Sequence, residues 1–382
     1  MKRTIEIRNR IKNNGSGLKV VEKLINKAKE LKKVAVLFGG CSSEYEVSLQ
    51  SAYSVIEHIN RDEYKVVLIG INKAGEWFLF EDNIERIKDD TWEEVSSKKV
   101  TISVSREEHG IIVFEENKIE KIRLDAVYPV LHGKNGEDGT IQGLCELAGI
   151  PVVGCDMLSS ALCMDKQIAH DVVAQVGVKV PKGIVIDEVI NKSGLLDKAS
   201  ELNFPLYIKP MRAGSSFGIT KVQDISEVYD AVNLALKHDS TVIIEENIEG
   251  FEVGCAILGN GKELIIGEVD EIELSDGFFD FTEKYTLKSS KIHMPARIDE
   301  ELKEKVKSEA IKIYNALKCK NFARVDMFIT PEKEIVFNEV NTIPGCTAHS
   351  RYPNMLKGIG ISFEEFINKA IGMVINNESE IR

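Results

Sequence analysis

The 382-residue chain has no run of 18 uncharged apolar residues, so no membrane-spanning helix is expected. Its first 30 residues lack the apolar core of a secretory signal, which points to a cytoplasmic protein. Basic residues are in deficit. The 49 Lys and Arg against 61 Asp and Glu give a net charge of −12, which argues against bulk nucleic-acid binding. The seven cysteines (41, 145, 155, 163, 255, 319 and 346) include no Cys-x-x-Cys pair and no zinc spacing with His. They read as free thiols packed as small apolar residues in a reducing compartment. No Gly-x-Gly-x-x-Gly follows a strand, and no Gly-Lys-Ser/Thr opens a helix, so the dinucleotide and P-loop fingerprints are both missing. Repeats and low-complexity tracts are absent as well. With 43% hydrophobic residues, the chain can still bury a large core.

What is present reads as α/β. Residues 1–33 stand apart, with eleven Lys/Arg against three Asp/Glu. They read as an extension rather than as a basic arm that touches a partner. From Val34 an apolar run ends at Gly39-Gly40, as a buried parallel strand does. Helix 48–59 and strands at 64–71, 124–131 and 152–153 follow, with strands and turns inserted at an edge over 76–121. A helix spans Ala161–Val176 and ends at Gly177. Strands at 183–187, 204–209 and 219–222 precede a helix at 226–237. A last block holds a helix at 300–317, a strand pair at 322–329 and 335–341, and a terminal helix at 362–375.

Four constellations could carry chemistry. In Phe322–Phe328 and Val336–Asn341 alternate residues share a face. A four-residue loop at Pro331–Glu334 would set Asp326 opposite Glu339 and Arg324 opposite Asn341. Facing carboxylates need a neutraliser, and two carboxylates with an amide oxygen suit Mg²⁺. Pro344-Gly345 beyond them forms a tight turn whose N–H groups could meet an oxyanion, together with Arg324. Lys209, Gly214, Ser215, Ser216 and Gly218 make either a plain hairpin or a lid over phosphates. His132 and the glycines at 133, 136 and 139 lie between a strand and a helix, as Gly39-Gly40 through Glu44 do; these are ligand positions in open sheets. The polar stretch 274–295, with Glu283-Lys284-Tyr285, reads as a long loop of the kind that covers active sites. Together these parts suit phosphate activation of an acid followed by amine attack.

In this order, Gly39-Gly40 with Glu44-x-Glu46-Val-Ser48, His132-Gly-Lys-Asn-Gly-Glu-Asp-Gly139, Gly214-Ser-Ser-x-Gly218, Arg324-x-Asp326 and Asn338-Glu-Val-Asn-Thr-x-Pro-Gly345 resemble the D-alanine–D-alanine ligases. The likeness runs from about residue 33 to the end and implies the ATP-grasp fold. It implies an N-terminal α/β substrate-binding domain (34–154), a central subdomain (155–244) and a C-terminal catalytic domain (245–382) with covering loop 274–295. It also implies ATP as co-substrate and two Mg²⁺ ions, with Mn²⁺ as a substitute. By the resemblance, Glu44 holds the ammonium of the first D-alanine, linked to Ser215 and Tyr285, and His132 lies near its carboxylate. Lys166 and Lys209 meet nucleotide phosphates, with Ser216 in the same loop, and Glu245 and Glu252 meet the adenine side and the ribose. Glu246 stands where many relatives carry Lys. Lys284 meets the transferred phosphate, Asp326, Glu339 and Asn341 hold the metals, and Arg324 and the Gly345 N–H serve the oxyanion. Ser350 and Arg351 meet the second substrate. Glu283-Lys284-Tyr285 and Arg351 resemble the D-alanine–D-serine ligases of vancomycin resistance, of the VanG type. D-alanine and D-serine are therefore the expected substrates, in a homodimer as is common among relatives.

Overall fold

The computed structural model describes residues 31–187, 191–214, 217–274 and 290–381. The expected basic extension, Ser215, Ser216 and most of the covering loop, including Glu283, Lys284 and Tyr285, lie outside them.

The first unit is a seven-stranded sheet. β1 (Lys32–Gly39) leads to α1 (Tyr45–His58), then β2 (Tyr64–Ile71), β3 (Trp77–Phe80), a short α2 (Glu85–Lys88), β4 (Lys98–Ile102), β5 (Gly110–Glu115), β6 (Lys118–Arg123) and β7 (Ala126–Pro129). Strand order is β6-β5-β4-β3-β2-β1-β7. β1 is parallel to β2 and β7, whereas β2 through β6 are antiparallel neighbours. The insertion at 76–121 is thus an antiparallel extension of one edge. The strand expected at Val152-Val153 is only an isolated bridge, Val127 to Val152. Two residues before Gly154, at a φ of +117°, leave no length for a ladder.

α3 (Thr140–Ala148), α4 (Met157–Met164) and α5 (Lys166–Gln175) connect to the second sheet. The single helix expected over 161–176 is broken at Asp165. Its carboxylate accepts from the Ile168 N–H at 3.2 Å, as a helix N-cap does, and from Arg212 Nε at 3.0 Å. Lys166 therefore opens a helix instead of sitting inside one. The second sheet contains β8 (Gly183–Ile186), β9 (Leu206–Pro210), β10 (Thr220–Val222) and β11 (Val242–Glu246), in the order β10-β9-β11-β8, backed by α6 (Lys192–Ala199) and α7 (Ile225–Ala235).

The third sheet orders β14 (Ser290–His293), β13 (Glu263–Leu274), β12 (Phe251–Asn260), β15 (Phe322–Ile329) and β16 (Ile335–Asn341), all antiparallel. α8 (Glu300–Ala316) packs on it through Leu302, Val306, Ala310 and Ile313. The chain ends with α9 (Arg351–Lys357) and α10 (Phe363–Ile381). Tyr128 of the first sheet, Phe322 of the third, Tyr352 and Phe366 stack in series with ring centroids 5.1–6.1 Å apart. This apolar join fixes the carboxyl end of β7 against the carboxyl end of β16, where the site forms. Among the described residues no helix is long and apolar enough to cross a membrane.

Candidate active site

The β15–β16 hairpin pairs Arg324 with Asn341 and Asp326 with Glu339, as the alternation implies. The route differs from the expected four-residue loop. Ile329 pairs with Ile335, so the loop is five residues, and the register shifts between Asp326 and Met327. A one-residue bulge at Asn338 on β16 restores the pairing at Asp326. Asp326 is buried. Arg324 neutralises it, donating from Nε to Oδ1 at 2.8 Å and from Nη2 to Oδ2 at 2.7 Å, and Asn341 Nδ2 donates to Oδ2 at 2.9 Å. That last bond leaves the Asn341 amide oxygen as an acceptor. Among the described residues no three His, Cys, Asp or Glu groups converge as a metal site. Two carboxylates in register with an amide oxygen beside them still fit a hard cation, which takes its remaining oxygens from water and phosphate.

Asp270 of β13 and Asp326 of β15 flank the same residue of β12, Gly254. A Cβ at Gly254 would lie 2.5 Å from Arg351 Nη2 and 2.8 Å from Asp270 Oδ1. The missing side chain makes room for Arg351, which enters from the first turn of α9. Its Nε and Nη2 donate to the two Asp270 oxygens at 2.8 Å each, and its Nη1 donates to Glu252 at 2.8 Å. Asp326 Oδ1 lies 3.6 Å from Nη2. Burial opposes the Arg351 charge, but Asp270 and Asp326 more than offset it and hold the group firmly cationic. Beside it, Ser350 Oγ accepts from the Thr347 N–H at 3.0 Å. The tight turn lies here, where the Ser350 N–H donates to Thr347 O at 3.0 Å, and not at Pro344-Gly345. A Cβ at Gly345 would come within 3.2 Å of Ser350 Oγ.

The opposite wall comes from the first sheet. Glu44 sits just before α1 with its carboxylate against two glycines. A Cβ would meet its Oε2 at 2.4 Å from Gly133 and at 2.9 Å from Gly214. Glu137 links two loops, accepting from the Gly133 N–H at 2.8 Å and the Ile343 N–H at 3.3 Å. Burial first, and Glu44 second, push its carboxyl well above the ordinary range. His132 Nδ1 lies 3.1 Å from Ile343 O and Nε2 lies 3.0 Å from Ser51 Oγ. A carbonyl only accepts, so the proton is on Nδ1. Burial lowers this imidazole to about 4, against a weaker raising effect of the Ile343 bond. Both polar atoms of the ring are thus engaged within the protein.

These groups, with Lys166, line a pocket of about 270 Å³. A second cavity of about 600 Å³ adjoins it between the second and third sheets, with Lys166, Gly214, Glu252 and Glu339 on both walls. Lys209 extends from β9 to Glu245 Oε2 of β11 at 2.6 Å; Glu245 is buried and Lys209 largely so. Burial opposes each charge, yet the partner wins, raising Lys209 and lowering Glu245. Lys166 Nζ donates to Ala213 O at 3.0 Å and Met211 O at 3.3 Å. Glu246 accepts from Asn203 Nδ2 at 2.9 Å and shares the cavity wall.

All thirteen described candidates therefore line one of two joined spaces. Glu44, His132, Arg324, Asp326, Asn341, Gly345, Ser350 and Arg351 belong to the first, Lys209 and Glu245 to the second, and Lys166, Glu252 and Glu339 to both. Sequence reasoning missed Asp270 and Glu137. Asp270 stands mid-strand in an alternating acidic run, and Glu137 lies within the glycine loop around His132; both positions are signals that could have been weighed.

Comparison with known proteins gives the family and the fold. Residues 33–155 match the D-ala D-ala ligase N-terminus family and residues 172–372 the D-ala D-ala ligase C-terminus family. The crystal structure of VanG D-Ala:D-Ser ligase from Enterococcus faecalis is 56% identical and superposes with a TM-score of 0.84, covering 90% of this chain and 100% of that one. The D-alanine-D-alanine ligase structure from Coxiella burnetii is 28% identical with a TM-score of 0.79, over 92% and 96%. The vancomycin B-type resistance protein VanB of Enterococcus faecalis is 42% identical over 347 residues, 90% of this chain and 98% of its own. The chain belongs to the D-alanine–D-alanine ligase family and has its ATP-grasp architecture.

Proposed function

We propose that the protein ligates D-alanine to D-serine, using ATP and passing through D-alanyl phosphate. The carboxylate of the first D-alanine attacks the γ-phosphate, and the amine of the second substrate attacks the acyl phosphate. The tetrahedral intermediate then collapses, releasing phosphate and dipeptide. Glu44 is assigned the first ammonium, with Ser215 and Tyr285. His132, its polar atoms engaged with Ile343 and Ser51, positions the strand end beside that substrate. Lys166, Lys209 and Ser216 take the nucleotide phosphates, and Glu245 and Glu252 take the base and ribose sides. Lys284 takes the transferred phosphate. Arg324 and the Gly345 N–H are assigned to the oxyanion. Asp326, Glu339 and the Asn341 amide oxygen would hold Mg²⁺, which when bound neutralises phosphate charge. The cleft between two antiparallel sheets, lined by the half-buried Lys166 and Lys209, supports the nucleotide's position. We keep the divisions at 34–154, 155–244 and 245–382 as part of this reading; β11 (Val242–Glu246) of the second sheet runs across the last of them. A cytoplasmic homodimer is the working assembly.

One observation carries the preference for D-serine: the buried Arg351–Asp270 pair, next to Ser350 in the substrate pocket. Held by Asp270 and Glu252, the guanidinium still has N–H capacity on its Nη atoms that a serine hydroxyl can accept from and D-alanine cannot. Glu283 joins Ser350 and Arg351 at this second substrate's position by assignment. The similarity to the VanG D-Ala:D-Ser ligase supports the same choice. The second reading is D-alanine–D-alanine ligation, the activity named for the Coxiella relative. Competition of D-serine and D-alanine with ATP and Mg²⁺, read by mass spectrometry of the dipeptides, tests it. Mostly D-Ala–D-Ala product would overturn the D-serine assignment, and intact ATP would overturn the ligase mechanism.

A further inference from the structure

Three buried thiols that the ligation does not use meet behind the active site. Cys163 lies in the last turn of α4, Cys319 follows α8, and Cys155 precedes α4. The Cys163 and Cys319 sulfurs are 3.7 Å apart, in contact. Cys155 Sγ donates to Lys320 O at 3.4 Å and Phe322 O at 3.6 Å, and so is held to the chain beside Cys319. Cys163 lines the 270 Å³ active-site pocket, while Cys319 lines a separate cavity of about 750 Å³ bordered by α3 and the 318–321 turn. A small oxidant can therefore approach the pair from either side. Among the described residues no three ligating side chains are placed to hold a metal, which sets the cluster apart from a thiolate metal site.

The pair joins two segments that matter for the site. Three residues after Cys163 comes Lys166, whose Nζ bonds Met211 O and Ala213 O, and Gly214 next to these abuts Glu44. Five residues after Cys319 comes Arg324. A disulfide needs a sulfur separation of about 2.05 Å, so bond formation would close the sulfurs by roughly 1.7 Å and tie together the two segments that carry them.

We infer that Cys163 and Cys319 form a reversible disulfide on exposure to a peroxide, and that this bond locks the α4–α5 junction to the turn entering β15 and lowers turnover. The Cys163 thiolate attacks one peroxide oxygen. The O–O bond breaks, and protonation of the leaving oxygen gives the first water. The Cys319 thiolate attacks the resulting sulfenic sulfur. The S–S bond forms as the S–O bond breaks, and the leaving hydroxide takes a proton to give the second water. Two thiols lose two electrons and two protons, and one hydrogen peroxide becomes two waters. The hydrogen bond from Cys319 pulls the Cys163 thiol down, but burial together with the nearby Cys155 and Glu137 outweighs it and leaves it raised. The reaction is accordingly slow at neutral pH and faster in mild alkali.

The link to turnover rests on the ligase reading, whereas the cross-link itself does not. The test uses the full chain, reduced, desalted and treated with hydrogen peroxide. Remaining thiols are alkylated after denaturation, and the digest is mapped by mass spectrometry. A Cys163–Cys319 peptide pair is expected, cleaved by dithiothreitol, absent from Cys163→Ser and Cys319→Ala, and retained in Cys155→Ala. Phosphate release should fall roughly tenfold or more and recover on reduction, because ångström-scale misplacement costs up to about 100-fold. Cys319→Ala should keep its activity through the same treatment. Seven alkylated cysteines, or a bridge between another pair, overturns the proposal. A bridge with unchanged phosphate release overturns the coupling to turnover. Untreated protein that never consumes ATP sinks the ligase reading, and the cross-link map then still decides this one.

Discussion

Arg351 holds Asp270 through two parallel 2.8 Å hydrogen bonds, Nε to Oδ2 and Nη2 to Oδ1, with Glu252 on its third nitrogen. Three carboxylates around one buried guanidinium make the group both structural and selective. Arg351→Leu should shift the ratio of D-Ala–D-Ser to D-Ala–D-Ala product toward D-alanine, by about 10–100-fold for one lost charged donor. It should also cost about 3–5 kcal/mol of stability, because Asp270 is left buried without its partner. Adding Asp270→Asn should recover much of that stability without restoring D-serine preference. Denaturant melts and product ratios on the same samples separate the two effects. An unchanged ratio in a folded Arg351→Leu protein removes Arg351 from the specificity argument.

Gly254 tests the same pair without deleting a charge. The Cβ of Gly254→Ala would overlap Arg351 Nη2 at 2.5 Å and Asp270 Oδ1 at 2.8 Å. Overpacking of this kind costs about 1–3 kcal/mol. The expected result is a folded protein whose D-serine selectivity falls by more than its KM for ATP rises, since Lys209 and Glu245 stand on a different sheet and only Glu252, bonded to Arg351, links Gly254 to the ribose side. Steady-state kinetics with each substrate varied decides it. A change confined to the KM for ATP would contradict the role of Gly254 in seating Arg351 for the second substrate.

The alternation at 322–341 was legible because a strand with one buried face leaves a period of two, which fixes which side chains share a face. The loop length was not legible. A bulge at Asn338 and a fifth loop residue cancel, and neither leaves a compositional mark. Asp165 illustrates a different limit. Apolar periodicity continued across it, and only its bonds to Ile168 N–H and Arg212 show why the helix restarts there. Asp270 escaped because its meaning depends on Arg351, 81 residues away, and on a glycine in the strand between Asp270 and Asp326. Long-range charge pairs of this sort have no local signature.

His132 should give the stability curve a measurable pH limb. In the unfolded chain an imidazole titrates near 6.5, while burial holds it near 4 in the fold. Between these values the unfolded state binds a proton that the native state does not. Stability is then complete above the unfolded value and declines as pH falls toward the folded one. The loss reaches about 3 kcal/mol at the lower end. In His132→Asn, which retains a donor for Ile343 O, that contribution should disappear. Urea melts of both proteins at pH 4.5 and 7 check it. Equal pH sensitivity in the two proteins would show that His132 is not the titrating group.

Lys209 and Glu245 separate folding from nucleotide binding. Glu245 is buried and Lys209 largely so, and each offsets the other's desolvation. Lys209→Met leaves Glu245 buried beside His170 at 3.3 Å and should cost about 3–5 kcal/mol. The double variant Lys209→Met/Glu245→Gln removes both charges and should regain most of that stability. If Lys209 served only as the counter-ion of Glu245, the double variant would also regain ATP turnover. The phosphate assignment predicts otherwise. The KM for ATP should stay raised about tenfold or more, because a charge-assisted bond to phosphate contributes about 1.5–3 kcal/mol that no neutral side chain replaces. A stable double variant with a wild-type KM for ATP would confine Lys209 to a structural role.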